Sequence, residues 1–366
     1  MIFCHPSRLL GLMPPTLQSI CLIALLITPL QMSGAESLLP DVKAKNIRRV
    51  FHNGEHNAFT DLAYFQNQYY LTFRSCPDGH MVHPTSSIII LKSDDLQSWK
   101  KIHSFRVMNR DTRDPHFLVF KQKLFVFTGT WLSGSTTLPR DQYNLNTHLG
   151  YAAWTDDGLN WESPVMLDGT YGHYIWRANT HAGKAYLCGR RKHNFVDTPR
   201  SHREDIESLM LESDDGLIWK KCAVFQPTGG DETAFQFDLD GNVLAIGRSG
   251  KAPAQLLSAS PPYQEWTRRD LDRYIGGPLL TRWGERLVVG GRQSTPNGPR
   301  TTLYWLLGDT LLEFITLPSA GDNSYPGFLQ LSPLHGVLSW YSSHEKDEDG
   351  QPITAIYLAD LFVQSK

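Results

Sequence analysis

The chain has 366 residues, of which 41% are apolar, 20% charged and 11% aromatic, and such a composition is typical of a soluble globular protein. The length allows one large core or two ordinary ones. The formal net charge of −2 gives no reason to expect nucleic acid or anionic lipid as a partner.

Residues 1–35 have the pattern of a secretory signal peptide. Arg8 precedes the apolar run "SICLIALLITPL", and "SGA" at 33–35 places small residues at a cleavage site. An uncleaved membrane anchor is the alternative, but the apolar run is short for a membrane span. We therefore expect a secreted or periplasmic protein with no span after cleavage and with one domain over residues 36–366.

Only three cysteines follow the expected cleavage point, Cys76, Cys188 and Cys222. An odd and sparse set does not predict a disulfide framework, and no Cys/His spacing indicates a structural zinc site. The sequence implies neither a metal nor an organic cofactor.

Short strand patterns dominate the rest of the chain, and one turn motif recurs between them. It reads "SDDLQSW" at 93–99, "TDDGLNW" at 155–161 and "SDDGLIW" at 213–219, with a weaker copy, "SASPPYQEW", at 258–266. We expect the Asp side chain to bind turn amides and the Trp to pack the turn against the sheet. These turns are predicted to be structural.

A hairpin pattern recurs six times along the chain. Its first strands begin at Asp61, Asp114, Arg177, Glu232, Gly277 and Tyr325, with an average spacing of about 53 residues. This period suits a four-stranded propeller blade and predicts an all-β, six-bladed β-propeller. The last unit has three strands, so "KNIRRVFH" at 45–52 is expected to supply its outer strand. Two sandwich domains are the alternative, against which the regular period argues.

In a propeller, the starts of the inner strands and the ends of the second strands share one face around the central channel. That face is predicted to collect Asp61, Arg74, Arg113, Asp114, Arg177, Arg190, Arg191, Glu232, Arg248, Arg292, Tyr325 and Tyr341. Several arginines beside few carboxylates indicate an anionic ligand, most simply a carboxylate bound by two guanidinium donors.

These features resemble the sialidase (neuraminidase) superfamily of six-bladed propellers with repeated Asp boxes. The resemblance rests on the Asp turns, on Glu232 and Arg248 at the ends of one hairpin, on Arg300 in "GPRTTLYWL" and on Tyr325 in "SYPGFLQL". It implies hydrolysis of a glycan or glycoconjugate that carries a terminal acidic sugar. Tyr325 is then the nucleophile, Glu232 its base, and Arg248 and Arg300 bind the substrate carboxylate.

The sequence departs from the family pattern in blade one. The first arginine of the usual triad is missing, and Arg74, Arg113, Arg177 or Arg292 are its candidate replacements. The acid/base aspartate has no clear counterpart in "RSCPDGHMVHP", where Asp78 is nearest by position and His80 is an alternative, while Asp61 lies nearer the channel.

Three other functions stay open. The protein could be a carbohydrate-binding propeller without catalysis, or a glycosidase of another sugar class that uses Asp61 or Asp114 together with Glu232. An extracellular protein-binding scaffold is the third alternative. Glu232 and Arg248 could also be a simple ion pair that stabilises their hairpin.

Overall fold

Six four-stranded antiparallel sheets form the computed structural model, which describes residues 39–364. Blades one to three are β2 (His56–Phe65), β3 (Gln68–Cys76), β4 (Ser87–Ser93), β5 (Lys100–Phe105); β6 (Arg110–Phe120), β7 (Lys123–Leu132), β8 (Leu149–Thr155), β9 (Val165–Met166); and β10 (Tyr174–His181), β11 (Lys184–Lys192), β12 (Ile206–Ser213), β13 (Lys220–Gln226). The expected signal peptide lies outside the described residues.

Blades four to six follow in the same order. They are β14 (Thr233–Phe237), β15 (Val243–Ser249), β16 (Ala252–Ala259), β17 (Thr267–Asp270); β18 (Gly276–Trp283), β19 (Arg286–Thr295), β20 (Gly298–Leu307), β21 (Thr310–Thr316); and β22 (Asn323–Ser332), β23 (His335–Lys346), β24 (Pro352–Val363) with β1 (Val42–Phe51). Short 3-10 helices cover Arg140–Gln142, Leu145–Thr147, His193–Phe195 and Arg203–Asp205. None of the helices in residues 39–364 has the length and apolar character that a membrane crossing requires.

The first strand of each blade contacts the first strand of the next blade, and β22 contacts β2, so the six sheets form a closed ring. Strand β1 pairs antiparallel with β24 and completes the last blade from the N-terminal side. The prediction of a six-bladed propeller closed by the segment around residues 45–52 is therefore confirmed. We call the face at which the innermost strands begin the upper face.

The recurring Asp turns connect the third and fourth strands of blades one to three. Asp95 accepts hydrogen bonds from the amides of Gln97 and Ser98, and Asp157 and Asp215 each bind two amides in the same way. The turn needs a positive φ, which Gly158 and Gly216 adopt readily, whereas Leu96 adopts it at φ 63°. By strand direction these turns lie on the face opposite the upper face.

Bulges near the starts of the innermost strands decide which side chains point into the upper face. In four blades two residues of the innermost strand lie opposite a single residue of the second strand, and the first of the two, Phe59, Asp114, Gly277 or Tyr325, has a positive φ. Three of these residues precede a proline, which has no amide hydrogen to give to the ladder. In blade one the equivalent residue is thus Phe59, not Asp61 as the spacing suggested.

Apolar side chains fill the spaces between neighbouring blades, and the largest fully buried ones include Trp176, Trp283 and Trp340. Removal of this surface from water drives the blades together. Cys76, Cys188 and Cys222 are free thiols. Leu239 is fully exposed in the turn that follows β14.

Candidate active site

A cavity of about 660 Å³ opens on the upper face, where the innermost strands begin. Three carboxylates line it, Asp114, Asp231 and Glu232. Eight cationic side chains line it as well, namely Arg113, Arg140, Arg190, Arg200, Arg203, Arg248, Lys251 and Arg292. Eight cations minus three carboxylates leave a formal excess of five positive charges, which favours an anionic ligand.

At the base of the cavity, Tyr325 and Glu232 form a buried hydrogen bond. The hydroxyl Oη of Tyr325 donates to Glu232 Oε1 over 2.7 Å, and both residues are less than a tenth exposed. Arg248 Nη1 donates to Glu232 Oε2 over 2.8 Å and lies 3.4 Å from Tyr325 Oη. Glu232 precedes β14 and Arg248 lies on β15, so the hairpin brings them together as the sequence predicted.

The backbone of blades five and six holds the Tyr325 ring in place. Tyr325 has φ 51° in its bulge, and its ring covers Gly277, the equivalent residue of blade five. A Cβ at Gly277 would lie 2.6 Å from the ring, so no side chain fits there. The Gly277 amide donates to Glu232 Oε2 over 3.2 Å. Arg177 donates to the carbonyl groups of the two bulge prolines, Pro278 and Pro326.

The electrostatic environment keeps the Tyr325 hydroxyl protonated until a base accepts its proton. Burial and the neighbouring Glu232 carboxylate raise the pKa of Tyr325 well above its usual range, although Arg248 and Arg292 act in the opposite direction. The hydroxyl therefore stays neutral in the resting protein while it donates to Glu232.

Asp231, beside Glu232, is a carboxylate with several cationic partners. Arg190 lies 2.5 Å from its Oδ1, and Arg203 Nη2 lies 3.0 Å from its Oδ2. Burial opposes ionisation, but Arg190, Arg248 and Arg203 hold the pKa of Asp231 well below its usual range. Asp231 therefore orients the arginines and does not exchange protons near neutral pH.

Asp114 differs from the other two carboxylates because one of its oxygens is unsatisfied. Its Oδ2 accepts a hydrogen bond from Tyr174, whereas the buried Oδ1 has no partner within the described residues. Burial raises the pKa of Asp114 to about 6. The Arg113 guanidinium lowers this pKa, whereas the Glu232 carboxylate raises it further. This carboxyl group can therefore exchange a proton near neutral pH.

One wall of the cavity is built around Asp322, just before β22. Arg292 and Tyr341 both donate to its Oδ1, over 2.8 and 2.9 Å. His56 Nε2 and His80 Nδ1 lie 2.9 and 2.8 Å from its Oδ2. Of these, His80 and Arg292 line the cavity.

Two clusters in the described part of the chain bring three potential metal-ligand atoms close together: His56, His80 and Asp322, and His202, Glu204 and Asp205. The Asp322 carboxylate already has four donor groups around it, and one of them is the guanidinium of Arg292. A cation would face that charge, so we interpret the first cluster as a hydrogen-bonding network. In the second cluster His202 and Glu204 are exposed, and nothing else in the described structure points to a ligand there.

The structure brings eight of the residues predicted for this face and site to the cavity lining: His80, Arg113, Asp114, Arg190, Glu232, Arg248, Arg292 and Tyr325. Seven others do not line it, namely Asp61, Asp78, Arg74, Arg177, Arg191, Arg300 and Tyr341. Asp61 lies in the channel, where it accepts from the Phe117 amide and pairs with Arg177. Asp78 is exposed and bound to Thr85.

Two of these arginines, Arg74 and Arg300, have structural partners elsewhere. Arg74 is fully buried, pairs with Asp111 and donates to the carbonyl groups of Gly79 and Met81. The guanidinium of Arg300 donates only to the carbonyl group of its neighbour Pro299. Arg74 is fully buried and does not line the cavity, so it cannot replace the missing triad arginine, whereas Arg113 and Arg292 both line the cavity.

Sequence reasoning missed the cavity residues that lie outside the strands. Arg140 and Arg200 belong to the long β7–β8 and β11–β12 connections, and Lys251 belongs to the β15–β16 turn. No pattern in a connecting loop indicates the direction in which its side chains point. Asp231 could have been found, because it precedes the same strand as Glu232.

No known protein-family model matches this chain, and no curated protein matches it in sequence. Solved structures match it throughout the propeller. A Dyadobacter fermentans protein of unknown function has a TM-score of 0.71 and 19% identity over 89% of this chain and 100% of its own. The Trypanosoma rangeli sialidase in complex with sialic acid has a TM-score of 0.61 and 11% identity over 88% of this chain and 59% of its own.

Phage phi92 endosialidase also matches, with a TM-score of 0.61 and 10% identity over 89% of this chain and 70% of its own. The chain spans about 59% of the length of the T. rangeli enzyme. At these identities the similarity concerns the fold. The chain has the fold of the propeller sialidases.

Proposed function

We propose that this protein is a glycoside hydrolase that removes a terminal acidic sugar, sialic acid or a related one, from a glycan or glycoconjugate. The observation that carries the proposal is the buried hydrogen bond from Tyr325 to Glu232 at the base of a cavity with excess positive charge. The sialidase fold of the structural neighbours, one of them solved with sialic acid, supports the same class of substrate.

A neutral tyrosine suits an acidic sugar whose carboxylate lies beside the anomeric carbon, because an anionic nucleophile would be repelled. In the first step, the Tyr325 oxygen bonds to the anomeric carbon, Glu232 takes the hydroxyl proton, and the glycosidic bond breaks as an acid of the cavity gives a proton to the leaving oxygen. In the second step, the oxygen of water bonds to the anomeric carbon, the conjugate base of that acid takes a proton from the water, the Tyr325 oxygen leaves and Glu232 returns its proton. Arg248, Arg292 and Arg113 are positioned to bind the sugar carboxylate.

A second candidate function uses two carboxylates. Asp114 lines the same cavity as Glu232, and its pKa of about 6 suits a general acid. In that mechanism, Glu232 attacks or activates water and the Tyr325 hydroxyl only binds substrate. Turnover that survives Tyr325→Phe and is lost in Asp114→Asn would favour it.

The experiment is hydrolysis of fluorogenic sialosides and uronides by the purified chain and by Tyr325→Phe and Glu232→Gln. The matched control is Tyr186→Phe, a buried tyrosine of β11 outside the cavity. We expect turnover of an acidic glycoside that both site variants abolish and the control retains. Binding of acidic glycans without turnover would instead identify a carbohydrate-binding propeller.

We also propose that the protein is exported after removal of residues 1–35, as the N-terminal pattern indicates. N-terminal sequencing of the protein recovered from the extracellular or periplasmic fraction tests this. A mature chain that begins near residue 36 is expected, and an intact Met1 on exported protein would contradict it.

A further inference from the structure

His80 occupies the loop that follows β3 and lines the cavity with a half-exposed side chain. Its ring centroid lies 5.9 Å from that of Phe59, and the Phe59 centroid lies 4.9 Å from that of Tyr325. His80 and Tyr325 therefore pack on the same aromatic ring. One aromatic ring therefore separates this imidazole from the nucleophile of the proposed function.

Buried charges fix the loop on both sides of His80. Arg74 donates to the carbonyl groups of Gly79 and Met81 over 3.0 Å each, and Arg113 donates to the carbonyl group of His80 over 2.8 Å. Both arginines pair with Asp111, which is completely buried. Three consecutive carbonyl groups are thus held by two guanidinium groups, so the loop presents His80 in one position.

The imidazole itself is oriented by Asp322. Nδ1 lies 2.8 Å from Asp322 Oδ2, at hydrogen-bonding distance, whereas Nε2 has no partner in the part of the chain that the structure describes. Burial disfavours the charged form of Asp322. His56, His80 and Arg292 nevertheless hold the pKa of Asp322 well below its usual range, so Asp322 is anionic. An anion at Nδ1 keeps the proton on that nitrogen and leaves Nε2 as the atom that gains or loses a proton.

The other groups around this pair do not compete for the role. Burial lowers the pKa of His56, so His56 is neutral and donates through Nε2 to Asp322. Arg292 and Tyr341 donate to the other oxygen of Asp322, and the Arg113 guanidinium binds the main chain of His80. Asp78, the nearest carboxylate in sequence, is exposed and does not line the cavity.

We propose that His80 is the acid/base catalyst of this site, with Asp322 as its positioning residue; the inference rests on the proposed function. As the glycosidic bond breaks, the leaving oxygen takes the proton from Nε2 of the imidazolium. In the second step the neutral Nε2 takes a proton from water, whose oxygen bonds to the anomeric carbon as the Tyr325 oxygen departs. An imidazole thereby replaces the missing acid of blade one.

The test compares leaving groups in His80→Ala and the wild type. With an alkyl or sugar aglycone, which needs protonation to leave, we expect kcat/KM to fall about 10²–10⁴-fold. With a nitrophenyl aglycone, which leaves without a proton, we expect a small loss in kcat/KM and an initial burst of nitrophenol. The control is His193→Gln, an exposed histidine outside the cavity, and thermal unfolding shows that each variant is folded.

The pH profile tests Asp322 separately from its structural role. Asp322→Asn removes the anion that stabilises the imidazolium, so the alkaline limb of kcat/KM should move to lower pH. If Asp322 only stabilised the structure, Asp322→Asn would lower activity equally at every pH. His80→Glu should restore part of the activity on alkyl glycosides, because a protonated carboxyl group can also donate to the leaving oxygen.

Three results would overturn the inference. Turnover that needs Tyr325 but falls equally for both leaving groups in His80→Ala shows that His80 is not the acid and leaves the proposed function intact. Leaving-group dependence in Asp114→Asn, and not in His80→Ala, assigns the acid to Asp114. Absence of any turnover by the wild type overturns the proposed function and this inference together.

Discussion

The ring of Tyr325 lies directly over Gly277, so the nucleophile of the proposed site depends on the absence of a side chain in the neighbouring blade. Both residues occupy the same bulge position of consecutive blades, and both have a positive φ. Four of the six blades thus share one backbone shape at this position, and the residue that occupies it determines which side chain, if any, the position presents.

Gly277→Ala should displace the Tyr325 ring and weaken its hydrogen bond to Glu232. A Cβ would lie 2.6 Å from the ring, and a displacement of about 1 Å lowers kcat/KM by about 100-fold. Gly308→Ala is the matched control, because Gly308 has φ 61° and nothing within 4 Å of a Cβ. Both variants should lose about 1–2 kcal/mol of stability from the backbone alone. Equal kinetics for the two variants would contradict the steric argument.

Tyr325 and Glu232 should behave as one unit in a double-mutant cycle. Tyr325→Phe and Glu232→Gln each remove one partner of the same proton transfer, so each should lower kcat/KM by about 10³-fold or more. The double variant should be no worse than the more damaging single variant. Steady-state kinetics on one acidic glycoside measure this. Effects that multiply in the double variant would mean that the two residues act in separate steps.

Arg74→Met should destabilise the fold by about 3–5 kcal/mol, because it removes one partner of a completely buried ion pair and leaves Asp111 undercompensated. Arg300→Met is the control and should change stability by less than about 0.5 kcal/mol, since Arg300 binds only its own neighbour. Urea unfolding measures both. A stable Arg74→Met protein with a raised KM would restore Arg74 as a substrate-binding residue.

Arg200→Gln should raise the KM for an anionic substrate by about fivefold, which corresponds to roughly 1 kcal/mol. Arg200 lines the cavity beside Trp131, and no carboxylate of the described residues lies within ion-pair distance of it. The effect should shrink at high salt because the side chain is exposed. Arg269→Gln, which removes an exposed pair with Asp309, is the control. A KM that changes neither with the Arg200→Gln substitution nor with salt would exclude electrostatic attraction between Arg200 and the substrate.

The sequence was sufficient to predict the blades because strand alternation and turn residues recur with a fixed period. The hairpin that joins Glu232 to Arg248 was predictable for the same reason: both lie at the ends of paired strands. The bulges were not predicted, although each of three left-handed positions precedes a proline, as in Tyr325-Pro326. Because the bulges were not foreseen, Asp61 was assigned to the bulge position of blade one that Phe59 occupies.

Loop conformation explains the rest of the disagreement. Position along the chain favoured Asp78 as the acid, but Arg74 and Arg113 bind the carbonyl groups of residues 79–81, and this fixes His80 at the cavity. Asp322 lies about 240 residues further along the chain and meets His80 only when the ring closes. A contact of that kind depends on the complete fold and leaves no local pattern.

Asp114→Asn should change how stability depends on pH. Burial raises the pKa of Asp114 to about 6 from an ordinary value of 3.8, so the folded protein favours the protonated form. The stability that this proton contributes is complete below pH 3.8 and is lost as the pH rises through 6, a loss of roughly 3 kcal/mol. An asparagine accepts the same hydrogen bond from Tyr174 and carries no charge. The stability of the variant relative to the wild type should therefore increase by most of that amount, about 2.5 kcal/mol, between pH 4 and pH 8. Urea unfolding at both pH values measures it, with the exposed Asp156→Asn as control. A constant difference between variant and wild type across this range would show that folding does not raise the pKa of Asp114, which would also remove it as a candidate acid.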